Sequence, residues 1–259
     1  MAKGSTYYLK TDCYRLLTSW KFYGSMLLLA LAMVLSLESR DNIGESVITI
    51  FFESISRVGN MLTFIVCAIP FASVYTDELE TKYVCYAAGR GNLKKYVLSK
   101  TAVIMISSIV VFVAGALLFS LFFRIWFPWS SEEFINMVHD GIAYEKILTK
   151  YGVCPWILLW AFQSGMKAGC FSLISAYVSL YISNRMLVLI MPAVLNQLMN
   201  ELQSGRFGNI PMLCPNFVFD ASVRIFSEDW MEMAWALIFA VCMTGIVFAA
   251  TYVKIRKRV

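Results

Sequence analysis

The chain has 259 residues, 59% of them hydrophobic and only 15% charged, with a formal net charge of +5 and a mean hydropathy of +0.66. A soluble domain of this size would have to expose much of that apolar excess to water, so the composition excludes one and indicates an all-α polytopic membrane protein. One histidine, His139, seven cysteines without a CxxC pair, and the lack of a Walker A sequence exclude an imidazole metal site, an HExxH protease and a P-loop in this chain.

Residues 5–20 lack the apolar core of a signal peptide. Leu9, Cys13, Leu16, Leu17 and Trp20 recur at helical spacing, and Lys10, Asp12, Arg15 and Ser19 fall elsewhere. That pattern predicts an amphipathic helix lying in the membrane interface; a frayed basic tail is the alternative. Residues 22–37 form a first span, short but extensible at both flanks to the ~20 residues a bilayer needs. An outer segment follows, in which VITIFF reads as a short interfacial piece or the start of the next helix. The second span, 58–75, contains Pro70, which kinks a helix and frees a carbonyl.

Residues 77–100 are a polar insert with Asp77, Glu78 and Glu80 at its start and Lys82, Arg90, Lys94, Lys95 and Lys100 after them. Asp77 is expected to cap a helix with Glu80 reaching back, Gly89 to close it, and Asn92 to cap the next helix. The insert thus reads as a helix–turn–helix at the membrane surface, with a solvated loop as the alternative. Tyr83, Val84, Tyr86 and Ala87 offer apolar contact between its charges.

Residues 101–123 are a third span free of charge. An outer loop, 124–155, precedes a fourth span, 156–183, interrupted by Gln163 and Lys167. After the tight turn at Asn184 and Arg185, a fifth span, 186–200, carries Pro192, Asn196, Gln197 and Asn200. A second outer loop, 201–229, leads to the sixth span, 233–253, and a basic tail. No repeat or linker divides the chain, so 1–259 reads as a single membrane domain. The predicted inner segments hold Lys3, Lys10, Arg15 and Lys21, the five basic residues of the insert, Arg185, and Lys254, Arg256, Lys257 and Arg258, which is 14 of the 22 basic residues. They hold only Asp12, Asp77, Glu78 and Glu80 of the 17 acids. The positive-inside rule therefore places both termini and the insert in the cytoplasm, with six spans.

A rise of ~1.5 Å per residue puts Lys167 about 16 Å below Trp156, near the midplane, where a charge facing lipid is costly. It is expected to face protein or water. Either carbonyls or the amides of Asn196, Gln197 and Asn200 pin it, or it lines a substrate path with Gln163 and those amides. Gly165 and Gly169 beside it form a small-xxx-small pair that lets another helix approach closely. Cys154 and Cys214, each followed by proline on the outer side, permit a disulfide in an oxidising compartment, with chance placement of reduced thiols the favoured alternative.

The order of an interfacial helix, six spans and an insert between the second and third resembles the ABC-2 type permeases, the transmembrane subunits of ATP-binding-cassette exporters. Asp77-Glu78-Leu79-Glu80-Thr81 looks like that family's acidic start, and Lys94-Lys95-Tyr96 with Lys100 like its basic–aromatic–lysine run. The family often has a proline-containing turn where this chain has Gly89-Arg90-Gly91. The resemblance implies that the insert is a coupling helix docked on a separate ATPase subunit, present in two copies, that binds ATP and Mg. Glu78, Glu80, Tyr83, Val84, Tyr86, Ala87 and Arg90 are then the docking residues. It implies a second permease chain, either a copy of this one or a sister, and no nucleic-acid partner. LKTDCYRLLTSWKFY is similar to small permeases of Gram-positive bacteria that handle peptides, which implies peptide export across a bacterial plasma membrane and no catalytic residue in this chain. A secondary carrier coupled through Lys167 is the alternative, but the paired broken helices of such carriers are not seen. An intramembrane enzyme is disfavoured because depth offers one lysine, amides and hydroxyls.

Overall fold

The computed structural model describes residues 3–37, 45–56, 60–81, 83–84, 92–131, 142–182, 184–204, 211–226 and 228–257. Every regular element among them is helical. In chain order these are α1 (Lys3–Leu17), α2 (Trp20–Leu35), α3 (Val47–Ser56), α4 (Asn60–Ala68), α5 (Val74–Glu80) and α6 (Leu93–Arg124). There follow α7 (Glu145–Tyr151), α8 (Val153–Val178), α9 (Arg185–Ser204), α10 (Pro215–Val218) and α11 (Asp229–Arg256).

Three of these, α6, α8 and α11, are long and apolar enough to cross a membrane. The bent pair α1–α2 makes a fourth candidate if taken as one span, with an angle of 56° between its halves. The other predicted spans are helical but broken or polar. The second divides at Pro70 into α4 and α5, because the proline ring removes an amide donor and crowds the preceding turn. The fifth is α9, whose Pro192 and four amides make it less apolar.

The α1–α2 bend falls at Thr18 and Ser19, where Ser19 adopts an extended backbone and its side chain makes no capping bond. Leu16 on α1 is buried, whereas Leu9, Leu17 and Trp20 are exposed, as expected for residues that meet lipid rather than protein. Asp12 departs from the amphipathic expectation: it is 4% exposed. VITIFF is not the start of the next helix. It is a separate helix, α3, with Val47, Ile48, Ile50 and Phe51 fully buried. The Val47 and Ile48 amides, which a helix start leaves without internal partners, donate to the carbonyls of Pro128 and Trp129 at 2.9 and 3.2 Å.

The centre of the bundle is α8, packed most extensively along α6 and also against α4, α9 and α11. Hydrophobicity alone does not draw helices together in lipid, so close backbone approach matters. Gly165 supplies it: a Cβ there would lie 3.1 Å from the Ile109 Cα on α6. At Gly169 it would lie 2.7 Å from the Met105 Sδ. Gly115 on α6 plays the same part toward α2, with Leu29 atoms where its Cβ would be. The small-residue pair on α8 therefore meets α6.

Candidate functional site

Two polar assemblies stand out in an otherwise apolar interior. The larger lies where α1, α5 and α6 converge. Asn92 starts α6 by accepting from the Lys94 and Lys95 amides at 3.0 and 3.4 Å, so the helix carries Tyr96, Ser99 and Lys100 inward on its first turns. Lys100 is 1% exposed, and its Nζ donates to Asp12 Oδ1 at 2.7 Å and to Glu78 Oε1 at 2.6 Å. Ser99 Oγ donates to Asp12 Oδ2 at 2.8 Å, and Tyr96 OH donates to Glu78 Oε2. Arg15 reaches from α1 to Glu78 Oε1 at 3.1 Å, with its own side chain half exposed. The rings of Phe71 and Tyr96 lie 5.6 and 5.7 Å from the ammonium group and complete its surroundings.

The two carboxylates and two cations balance formally, which is the condition for burying charge at bearable cost. Both carboxylates accept more than one bond, so the cluster is nearly saturated. Beside it the hydroxyl of Tyr75, 2% exposed, has no hydrogen-bond partner among the described residues. The same end of the molecule is drawn together at its surface. Arg185, opening α9, contacts Asp77 at 3.0 Å and Glu80 at 2.5 Å. The Glu80 hydrogen bond and the charges of Asp77 and Glu80 hold its guanidinium even further above its ordinary pKa. Lys94 lies over the Tyr252 ring and Lys254 over the Tyr181 ring. All these predicted inner segments thus gather at one end of the bundle.

The second assembly surrounds α8. Gln163 is 1% exposed; its Oε1 accepts from Tyr144 OH and its Nε2 donates to the Val218 carbonyl, both at 2.7 Å. It ties Tyr144, just before α7, and Val218 of α10 to the central helix. Lys167, one turn on, is half-buried, with its Nζ 5.0 Å from the Phe64 ring centre and 5.8 Å from that of Phe171. Aromatic faces, rather than the expected amides, receive its charge. Asn196 is buried, and its Oδ1 has no hydrogen-bond partner among the described residues. Gln197 is exposed and donates to Glu201 at 3.2 Å, and Asn200 Oδ1 accepts from Asn216 at 2.5 Å. The five residues expected along a path thus differ in exposure and bond to different partners.

The expected docking residues also separate. Glu80 and Tyr83 are exposed, but Glu78 and Val84 are buried, at 3% and 2%. Glu78 is held inward by its bond to Lys100. Tyr86, Ala87, Arg90 and Gly89 lie outside the described residues. Asp77 does not cap: α5 already starts at Val74, and Ser73 precedes it. Cys154 is exposed and Cys214 buried, and both are free thiols. The ion cluster itself was not anticipated. Its signal was available in an acid on the polar face of a short helix and a lysine a full two turns inside an apolar one. No family model, curated protein or solved structure matches this chain.

Proposed function

We propose that the chain is the membrane-spanning permease subunit of an ABC-2 type exporter, with peptide the favoured cargo. A separate ATPase subunit, in two copies, binds ATP and Mg and docks on the 77–100 insert; a second permease chain completes the conduit in a bacterial plasma membrane. The observation that carries this reading is the cluster of Asp12, Glu78 and Lys100. Glu78 stands at the start of the insert and Lys100 at its end, and both are bonded to each other and to α1. A push on the insert is then delivered to the interfacial helix and to the long helix α6 as one body, which is what coupling to an ATPase requires. Tyr83, 43% exposed at this end, is the docking contact that remains accessible.

The test is purification of the chain from its native membrane in mild detergent. A stoichiometric ATPase subunit and ATP hydrolysis are expected with it, and Tyr83→Asp should remove both while leaving insertion intact. Transport by the purified chain alone, driven by an ion gradient, would instead establish the carrier reading built on Lys167.

A further inference from the structure

A cleft of about 280 Å³ opens between the α1–α2 bend and the break at Pro70. Its lining includes Arg15, Lys21, Ser19, Ser73, Phe71 and Asp77. The charges in it are unequal in what they have left to offer. Arg15 is committed to Glu78 within the formally neutral cluster, and Asp77 shares Arg185 with Glu80, at 3.0 Å from it. Lys21 is exposed and forms no ion pair among the described residues. Lys21 is therefore the one charged side chain of the cleft without an ion pair among the described residues. The hydroxyls of Ser19 and Ser73 make no capping bond and are free to donate.

The surroundings indicate where an anion would come from. Trp20, next to Lys21, is 86% exposed, and tryptophan concentrates at the membrane–water boundary. On α2, Gly24, Leu28, Leu31 and Leu35 follow Lys21 at helical spacing and so share its face. The three leucines are 42%, 52% and 68% exposed, and nothing lies within 4 Å of a Cβ built on Gly24. An apolar track thus leads from the cleft along the helix. We propose that the cleft binds the phosphate of an anionic phospholipid. Lys21 and the two serine hydroxyls hold the phosphate, Phe71 forms the apolar wall, and an acyl chain lies along the Gly24–Leu35 track. This inference does not depend on the exporter reading.

The experiment is native mass spectrometry of the intact chain, equilibrated in detergent with phosphatidylglycerol, phosphatidylcholine or inorganic phosphate. One phosphatidylglycerol should remain bound per chain, in preference to phosphatidylcholine. Lys21→Glu should weaken it by about tenfold or more, the effect of losing one charge-assisted hydrogen bond. Lys257→Glu, the same charge change on the exposed tail, should not. Thermal unfolding in a zwitterionic detergent, with Lys21→Gln as a milder second variant, confirms that each chain is folded. Unchanged retention in the folded Lys21 variants, or equal loss in Lys257→Glu, would overturn the site. Saturation by inorganic phosphate without uptake of phosphatidylglycerol would identify a free-anion site and overturn the lipid assignment.

Discussion

At one end of the bundle α1, α5 and α6 meet through the almost wholly buried ions of Asp12, Glu78 and Lys100. At the other end the fastenings are amides, carbonyls and aromatic rings. Phe51 of α3 lies 5.5 Å, centre to centre, from Trp160, and Trp156 lies 4.8 Å from Trp160. Trp156 Nε1 donates to the Ala143 carbonyl at 3.1 Å, and the Ala143 amide donates to Ala221 at 3.1 Å. The ion pairs of this end, Lys146–Glu228 and Arg224–Glu145, are more exposed. A buried ion has few acceptable partners, so the first end holds one arrangement or gives it up. Ring contacts and neutral bonds can be lost one at a time, so the second end should weaken by degrees.

The largest effect is expected from Lys100→Met. It strands two buried carboxylates and should cost about 3–5 kcal/mol, read as a large fall in thermal midpoint in detergent. A small fall would mean that water already reaches the cluster. At the other end Gln163→Leu leaves the Tyr144 hydroxyl and the Val218 carbonyl without their bonds, for about 1–3 kcal/mol. The loss should appear as faster hydrogen exchange in 215–218, with the α1–α6 junction unchanged.

Between the two ends, Gly165→Ala tests the helix contact that both share. The new methyl meets the Ile109 backbone, which has no rotamer to yield, and overpacking of this kind costs about 1–3 kcal/mol. Gly169→Ala should cost less despite its shorter contact, because the Met105 sulfur can swing aside. Reversal of that order would contradict the α6–α8 geometry.

The smallest effect belongs to the exposed pair. The hydrogen bond from Lys146, and then its charge, hold the Glu228 carboxyl below its ordinary pKa. A depressed value in the folded chain adds stability above the ordinary carboxylate range, which is lost as pH falls through the folded value. The pair is solvated, so Glu228→Gln should leave the midpoint unchanged within error, at neutral and at mildly acidic pH.

The helical segments were legible because long apolar runs have few other structures open to them in lipid. Asn92 as a cap, the break at Pro70 and the close approach at Gly165 followed from local chemistry. The misreadings share a cause. Asp12 looked like a surface acid and Lys100 like a topological charge, because each was judged against its own helix. Their partners lie 88 positions apart, and only the packing of α1 on α6 brings them together. Lys167 was expected against carbonyls, amides or a path and meets the rings of Phe64 and Phe171 instead, since spacing along one helix does not reveal which face of another it meets. The bonds of Glu78 to Lys100 and Tyr96 likewise do not show when the insert is treated alone.

The central claim is that α1 and both ends of the insert form one ionic unit. Its most direct test is the set of thermal midpoints for Lys100→Met, for Asp12→Asn with Glu78→Gln, and for all three changes together. If the cluster is a unit, the triple variant should recover much of the stability that Lys100→Met loses, because no buried charge is left unpaired. A triple variant as unstable as the sum of its parts would contradict the claim.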